Sequence, residues 1–370
     1  MSRLPKAAVR DEALRLRAMF EATGAAPVDP AILQPAATLL DLYGEDIRAR
    51  AYVTADPLRG EQMLRPDFTV PVVQEHMDGG AEPARYTYSG EVFRKQENDE
   101  TRPNEYFQVG LELFDGRDPE AADADVFASI AEALQGLPVK PATGDIGITS
   151  ATLAGLTLSD DRRAALMRHL WRPRRFRALI DQFAGRKPVP THRKAVLAIM
   201  AQGGDPMQGS GIRIGLRSET EIRARLDRLA KDAVQPPLPA SEVDLLDQVT
   251  GLKDVAPVAL ERLRDVAVDL PTLSPAVARL ERRFEAMAAR GIDVDSLPFE
   301  TSFGRTTLEY YDGFVFGFSA IGRPDLPAVA IGGRYDALTK VLGRGAEIPA
   351  VGGIIRAEVA LHLREKEGAA

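Results

Sequence analysis

Polar side chains alternate with apolar ones in the stretch QVGLELF, which covers residues 108–114. In a β-strand, Gln108, Gly110 and Glu112 share one face, while the intervening valine and leucines face the other. Gln108 and Glu112 are then about 13 Å apart, at about 3.3 Å per residue. The glycine between them leaves space against the backbone. A polar floor with an apolar back is typical of a small-molecule pocket, whereas a solvated edge strand is the alternative interpretation.

Arginines close to this strand indicate an anionic ligand group. The preceding strand ends at Arg94, and the charged loop between the two strands contains Arg102. A guanidinium group can bind a carboxylate or a phosphate through two parallel hydrogen bonds. Glu112 is then available for an ammonium group. A small molecule that carries both charges is an amino acid, which is the ligand that we expect here.

Three further segments contribute polar or aromatic side chains. LRPDFTVPVV places Asp67 and Thr69 at a strand-to-helix junction, where side-chain oxygens and free amide groups cluster. IGGRYDAL is predicted as a strand, a glycine pair and a helix, with Tyr335 at the helix start. LEYYDGFVF places Tyr310 and Tyr311 on opposite faces of a predicted strand, so that one of them reaches a given pocket. Taken singly, each segment is also explained by a helix cap, a glycine turn or an aromatic core pair.

The elements that position these residues fall into three zones. Residues 1–150 mix helices with strands, residues 151–296 have a helical pattern with Pro- and Gly-rich breaks, and residues 297–370 return to strands. This order predicts an α+β fold, in which one sheet contains both ends of the chain and a helical insertion separates them. One helix of the insertion begins with the capping-box pair Ser218 and Glu221. We interpret its arginine-rich face as a solvated surface with Glu/Arg pairs.

Composition excludes several classes of protein. The chain has 370 residues, a net charge of −7 and no cysteine, so disulfides, thiolate nucleophiles and cysteine metal sites are ruled out. The four histidines are not spaced to share a metal, and we expect neither a metal nor a cofactor. No apolar run has the length that crosses a bilayer, and the N-terminal segment resembles a charged amphipathic helix rather than a signal peptide. The acidic charge argues against a broadly basic nucleic-acid surface. Since the sequence shows neither a signal peptide nor a membrane-spanning run, we expect a cytoplasmic protein.

The ordered set of segments resembles the catalytic core of histidyl-tRNA synthetase, a class II synthetase built on an antiparallel sheet flanked by helices. LRPDFTVPVV is similar to the family's Arg-Pro-Glu-Gly-Thr segment, and EVFRKQENDETRPNEYFQVGLELF resembles motif 2. GDIGITSATLAGL is similar to a Gly-His-Val-Gly helix entry, and PAVGGIIRAEVAL takes the place of motif 3. LEYYDGFVF and IGGRYDAL resemble two histidine-recognition segments. The resemblance covers residues 1–150 and 297–370, and it implies an α+β fold with an antiparallel sheet flanked by helices.

Several departures distinguish this sequence from an active synthetase of that family. Thr306 replaces the arginine that stabilises charge at adenylation, and the neighbouring Arg305 would face away on a strand. Val359 replaces the motif 3 arginine that binds the triphosphate, and Gln96 replaces a motif 2 glutamate. Loss of preorganised positive charge around a reacting phosphate normally lowers the rate by orders of magnitude. Only 11 residues follow Val359, so we also expect no anticodon-binding domain.

The amino-acid end of the family's pocket persists in this sequence. By resemblance, Glu112 would meet the α-ammonium group of histidine, Gln108 would help to orient the ligand, and Arg94 would bind its carboxylate. Tyr311 and Tyr335 would address the imidazole ring. The predicted histidine-binding set is Asp67, Thr69, Arg94, Gln108, Glu112, Tyr311 and Tyr335.

A synthetase-like chain that keeps the amino-acid pocket but lacks the catalytic arginines resembles the regulatory subunits of ATP phosphoribosyltransferase. Those subunits are synthetase-like proteins without an anticodon-binding domain. The resemblance implies a non-catalytic partner of the short-form catalytic subunit, present as a homodimer within a hetero-octamer. Such a subunit would activate the first step of histidine biosynthesis and mediate feedback inhibition by histidine. It would bind neither nucleic acid nor a membrane. The helical insertion and the N-terminal helix are both candidates for the interface.

Two alternative functions follow from the same segments. An active, synthetase-like enzyme that activates histidine would use Arg94 and Arg102 as residual nucleotide or anion contacts. A tRNA- or synthetase-associated binding module is the second alternative, and its binding of tRNA would weaken steeply with salt. Both alternatives predict activities that the regulatory interpretation does not.

Overall fold

The structure of the protein, a computed structural model, describes most of the chain. The described residues are 4–36, 49–96, 103–208, 215, 217–305 and 310–367. The strands are β1 (Ala26–Pro27), β2 (Leu33–Pro35), β3 (Val53–Asp56), β4 (Gly60–Leu64), β5 (Ala84–Phe93), β6 (Glu105–Phe114), β7 (Val139–Asp145), β8 (Lys253–Val255), β9 (Pro298–Glu300), β10 (Phe314–Ala320), β11 (Ala330–Arg334) and β12 (Ala350–Arg356). The helices are α1 (Lys6–Ala22), α2 (Thr69–Met77), α3 (Pro119–Ala133), α4 (Ile146–Gly155), α5 (Asp160–Arg168), α6 (Pro173–Phe183), α7 (Thr191–Ala201), α8 (Glu219–Ala233), α9 (Ala240–Thr250), α10 (Ala256–Asp269), α11 (Ser274–Ala289), α12 (Asp336–Leu342) and α13 (Ala357–Glu367). Within these described ranges, no helix is both long enough and apolar enough to span a membrane.

Nine strands form one mostly antiparallel sheet to which both ends of the chain contribute. Its strand order is β1-β5-β6-β12-β11-β10-β7-β9-β8. The hairpin of β5 and β6 pairs with β12 from the end of the chain, so the predicted shared sheet is confirmed. The pairs β1–β5 and β7–β9 are parallel. A second sheet has the order β2-β4-β3.

The strand β6 lies inside the main sheet, between β5 and β12, which excludes the edge-strand interpretation. Its alternating side chains separate two apolar cores. Val109, Leu111 and Leu113 pack with α1, α3, α11 and α13 on one face. Gln108 and Glu112 face the other side, where α2, α4 and α12 cover the sheet. The period-two pattern in the sequence therefore gives the polar residues a buried position under helices.

The predicted helical insertion, residues 151–296, contains helices α5 to α11 and the short strand β8. The strand β8 pairs with β9 at one edge of the main sheet. Helix α11 buries Leu280 and Phe284 in the same apolar core as Val109 of β6. These contacts tie the last part of the insertion closely to the sheet. The division of the chain into segments 1–150, 151–296 and 297–370 remains a prediction.

A network of buried ion pairs connects α11 to the end of β11. Arg283 donates from Nε to Asp123 Oδ2 and from Nη1 to Asp145 Oδ2, both at 2.7 Å. Arg334 donates to Asp123 Oδ1 from Nε at 3.0 Å and from Nη2 at 2.7 Å. It also donates from Nη1 to Asp336 Oδ1 at 3.0 Å. Buried charges are tolerated when each has an opposite partner, so this network fixes the junction between β11 and α12.

Candidate functional site

A completely buried carboxylate, that of Glu112, lies at the centre of a group of hydroxyls. Its Oε1 accepts hydrogen bonds from Thr69 Oγ1 at 2.9 Å and from Tyr88 OH at 2.8 Å. Its Oε2 accepts a hydrogen bond from the hydroxyl of Tyr335. Glu112 and Tyr335 are both 0% exposed. The structure therefore brings three predicted residues, Thr69, Glu112 and Tyr335, together around one acidic group.

Two glycines make room for this arrangement. Gly352 is the cross-strand neighbour of Glu112, and a Cβ atom there would lie 1.5 Å from Glu112 Oε2. Gly110 is the cross-strand neighbour of Tyr88, and a Cβ atom there would lie 2.2 Å from the tyrosine ring. The sequence analysis predicted space against the backbone at Gly110, and the ring of Tyr88 fills that space.

The guanidinium of Arg94 lies against the segment that precedes α2. Its Nε donates to the carbonyl oxygen of Pro66 at 2.7 Å, and its Nη2 lies 3.7 Å from Asp67 Oδ2. Both charged side chains are buried. The start of α2 has no side-chain cap because its N-cap residue is Phe68, and the hydroxyl of Thr69, the first helical residue, donates to Glu112. Arg94 and Asp67 thus form a buried charged pair, and the charge of Asp67 acts on the Glu112 carboxylate.

Gln108 and Tyr311 complete the predicted set, and both side chains are buried. The Oε1 atom of Gln108 accepts no hydrogen bond from any residue that the structure describes. A buried acceptor without a donor is energetically unfavourable, so this oxygen is suited to a donor from a ligand. Burial raises the pKa of the Tyr311 hydroxyl, and the negative charges of Glu112 and Asp67 add to the effect. Tyr311 therefore lies close to both carboxylates.

We predicted a strand at Tyr310 and Tyr311, and that prediction was wrong. Both residues precede β10, which begins at Phe314, and neither belongs to a strand. Their rings are 4.9 Å apart, and the ring of Tyr310 is 6.1 Å from that of Tyr335. Irregular backbone does not impose the alternation of a strand. Both tyrosines are therefore buried in one aromatic cluster instead of facing opposite sides.

Tyr88 is the site residue that the sequence analysis missed. Its hydroxyl donates to Glu112, and its ring stacks on that of Phe68 with 4.4 Å between centroids. The signal that could have found it is an aromatic residue opposite a glycine, here Gly110. That signal requires the register of the β5–β6 hairpin, which a long connecting loop leaves unspecified in the sequence.

Comparisons with known proteins decide the family. The family profile described as Histidyl-tRNA synthetase matches residues 2–233 and 217–358. The ATP phosphoribosyltransferase regulatory subunit of Agrobacterium fabrum is 32% identical over 350 residues, which cover 90% of this chain and 91% of that protein. Its counterpart from Brucella anthropi is 31% identical over 356 residues, which cover 91% and 93% of the two chains. The chain belongs to the family of ATP phosphoribosyltransferase regulatory subunits.

Solved structures show that this regulatory-subunit chain has a histidyl-tRNA synthetase-like fold. An ATP phosphoribosyltransferase regulatory subunit/histidyl-tRNA synthetase from Bacillus halodurans C aligns with a TM-score of 0.68 at 20% identity, covering 98% of this chain and 81% of that one. A histidine–tRNA ligase subunit from Alicyclobacillus acidocaldarius aligns with a TM-score of 0.59 at 23% identity, covering 100% and 96%. The α+β fold that the sequence resemblance predicted is confirmed.

The carboxyl group of Glu112 in this regulatory subunit is poised between its two protonation states. Burial raises its pKa to about 7, although hydrogen bonds from Tyr335, Tyr88 and Thr69 lower it. A cation beside a carboxyl group favours the charged form and lowers the pKa. The site is therefore suited to an ammonium group, on whose arrival Glu112 would release its proton.

The positions that the sequence analysis linked to lost or residual nucleotide binding are scattered. Arg102 and Thr306 lie outside the described residues. Val359 packs in the apolar core on the face of the sheet opposite the Glu112 carboxylate. Arg305 lies in a turn instead of the predicted strand, and its Nε donates to the carbonyl oxygen of Leu170 at 2.6 Å. The Arg305 guanidinium thus packs against the helical region.

We expect the ionisation of Glu112 to make folding less favourable as the pH rises. Its pKa rises from 4.5 to about 7 on folding. As the pH rises, the unfolded chain therefore loses this proton at a lower pH than the folded chain does. The resulting stabilisation is present below pH 4.5 and is lost as the pH rises through 7. Relative to Glu112→Gln, the wild-type free energy of unfolding should fall by roughly 2 kcal/mol between about pH 5.5 and 7.5.

Urea unfolding of the wild type and Glu112→Gln across this pH range tests the expectation. Burial also raises the pKa of Asp312 to about 7. That group titrates in both proteins, so its contribution cancels in the difference between them. Parallel stability profiles for the two proteins would contradict a raised pKa at Glu112.

Proposed function

We propose that this chain is a non-catalytic regulatory subunit that binds histidine at the Glu112 site. By this proposal it activates the short-form catalytic subunit of ATP phosphoribosyltransferase and mediates feedback inhibition by histidine. The observation that carries the proposal is the buried Glu112 carboxylate, held by three hydroxyls in a chain of the regulatory-subunit family. The proposed assembly is a hetero-octamer in the cytoplasm that contains a homodimer of this chain.

The polar groups of histidine match those of the site. Its ammonium group would pair with Glu112, the one completely buried carboxylate with raised pKa in the predicted set. A donor from the ligand would satisfy Gln108 Oε1, which has no donor among the described residues. The ligand carboxylate would bind the guanidinium of Arg94, and the imidazole would contact Tyr311 and Tyr335. These roles are the ones that the family resemblance implies, and the charge and hydrogen-bonding capacity of each side chain agree with them.

Feedback inhibition requires that histidine bind one arrangement of the complex more tightly than another. A coupling free energy of about 1–3 kcal/mol changes affinity about 5- to 150-fold. The less active arrangement must be the one that histidine favours, because a ligand shifts an equilibrium only by its differential affinity. A bistable interface between this chain and the catalytic subunit would transmit the change.

The direct test is phosphoribosyl-ATP formation by the cognate short-form catalytic subunit, measured with and without this chain and then with added histidine. We expect activation by this chain and reversal of the activation by histidine. No change under either condition would contradict the proposal. Histidine-dependent ATP–pyrophosphate exchange by this chain alone would instead support the synthetase-like enzyme.

A further inference from the structure

Arg305 is a buried arginine whose charge has no counter-ion among the residues that the structure describes. The residue is 4% exposed. Its Nε donates to the carbonyl oxygen of Leu170, while its buried Nη2 donates to no described residue. The other buried arginines each form an ion pair with an aspartate, and they are Arg65, Arg94, Arg162, Arg283 and Arg334. A buried charge without a partner is unfavourable, so Arg305 is suited to an anion from outside the chain.

The guanidinium of Arg305 lies beside the first turn of α6. It binds the carbonyl oxygen of Leu170, which precedes that helix, and its Cζ atom is 4.7 Å from the centre of the Phe176 ring in the first turn. Residues 171–175, which contain the start of the helix at Pro173, connect these two contacts. The uncompensated buried charge is therefore located at a helix N-terminus.

The start of α6 supplies further hydrogen-bond donors. Its N-cap residue, Arg172, provides no side-chain cap, and its first turn contains no acidic residue. The amide of Phe176 donates to the carbonyl oxygen of Arg172 at 2.9 Å, so the amides of Arg174 and Arg175 have no acceptor within the helix. The indole Nε1 of Trp171 is a buried donor that also has no acceptor among the described residues. Donors without acceptors thus accumulate next to the Arg305 guanidinium.

The surface around this helix start is positively charged. Residues 162–180 contain seven arginines and no aspartate or glutamate. Arg174 and Arg175 are exposed in the first turn, and they form no ion pair with any other described residue. Arg177, further along the helix, pairs with Asp181 at 3.3 Å. Unpaired positive charge is therefore concentrated at the start of α6, where it would attract an anion.

We infer that Arg305 and the start of α6 form a binding site for the terminal phosphate group of a small phosphate ester. A guanidinium group binds phosphate oxygens through parallel hydrogen bonds, and a helix N-terminus binds phosphate through its free amides. The helix dipole adds partial positive charge at the same place. This inference is independent of histidine binding at the Glu112 site.

Two properties of the site favour a terminal phosphate over other anions. A terminal phosphate carries a charge of about −1.5 to −2 at pH 7, whereas a carboxylate or an internal phosphodiester carries a single charge. Several unpaired arginines therefore favour the terminal group. Arg305 is also deeply buried, and the internal phosphodiester of a nucleic acid has a sugar on each side that hinders its approach. A terminal phosphate reaches such a guanidinium with its free oxygens first.

Titration calorimetry with inorganic phosphate, ribose 5-phosphate and acetate, at constant ionic strength, tests the site. The wild type should bind both phosphate probes saturably, and acetate at least about tenfold more weakly. Arg305→Met removes the buried charge and should weaken phosphate binding at least about tenfold. Arg177→Met is the matched control, because it removes an exposed and already paired arginine from the same helix. It should change phosphate binding less than about twofold.

Arg174→Gln with Arg175→Gln is a second variant, at exposed positions where the fold does not depend on the side chains. It keeps the helix amides and should bind phosphate about three- to tenfold more weakly, with less dependence on salt. Urea unfolding shows whether each variant is folded. If Arg305→Met does not fold, wild-type affinity in the double variant would overturn the inference.

Three other results would contradict the site. Absence of saturable phosphate binding by the wild type, or equal binding by wild type and folded Arg305→Met, would overturn the inference. Acetate that binds as tightly as phosphate would overturn the assignment of the ligand. A short RNA that displaces ribose 5-phosphate and binds more tightly than it does would make this a nucleic-acid surface instead.

Discussion

Replacing Glu112 with alanine should weaken histidine binding by the isolated chain about 30- to several-thousand-fold. The substitution leaves the ammonium group of the ligand in a buried site without its counter-ion. Removal of one partner of a buried charge pair costs about 2–5 kcal/mol, which corresponds to this range of affinities. Glu112 is 0% exposed, so solvent does not replace the lost carboxylate. Isothermal titration calorimetry with histidine measures the change.

Glu105→Ala is the matched control, because Glu105 lies on the same strand with a side chain that is 41% exposed and pairs with Lys6. It should bind histidine as the wild type does. Glu112→Ala also leaves three hydroxyl groups without an acceptor, so urea unfolding must show that the variant is folded. Glu112→Gln keeps the size and one acceptor oxygen, and it should also bind weakly. Wild-type affinity in both Glu112 variants would place the histidine site elsewhere.

Replacing Arg283 with methionine should lower the free energy of unfolding by about 3–5 kcal/mol, the cost of leaving a buried charge uncompensated. Arg283 pairs with Asp123 and Asp145, and all three side chains are buried. In the variant, Asp123 keeps its contact with Arg334. Asp145, which caps α4, still accepts a hydrogen bond from the amide of Gly147 but loses the guanidinium. Urea unfolding at neutral pH measures the loss.

The adjacent residue provides a matched control for this prediction. Arg282 has a side chain that is 55% exposed, and it pairs with Glu120 at 3.1 Å. An ion pair with an exposed arginine contributes about 1 kcal/mol or less, so Arg282→Met should have a small effect. Equal destabilisation by the two substitutions would contradict the role of the buried network.

The strand that carries the site could be predicted in detail from its sequence. Alternation in QVGLELF correctly placed Gln108 and Glu112 on one face and the valine and leucines on the other. Local periodicity suffices there because a strand in a sheet fixes the direction of every side chain. The junction at Thr69 was also predictable, since a polar stretch follows a strand and precedes an apolar helix pattern.

Features that depend on contacts between distant segments were not predictable in this way. Tyr88 reaches Glu112 only through the register of a hairpin, and Arg283 appears in the sequence as one more charge on an amphipathic helix. Tyr310 and Tyr311 were assigned to a strand that begins only at Phe314. For Tyr88 and Arg283 the deciding contact joins residues far apart in the chain, which periodicity does not report.

By the proposed function, occupation of the Glu112 site by histidine controls the catalytic subunit. The most direct test is histidine inhibition of phosphoribosyl-ATP formation by the complex, with wild-type chain and with Glu112→Gln. We predict that both chains activate the catalytic subunit, and that the variant complex needs at least about 30-fold more histidine for half-inhibition. Identical histidine sensitivity of the two complexes would show that histidine does not act through the Glu112 carboxylate.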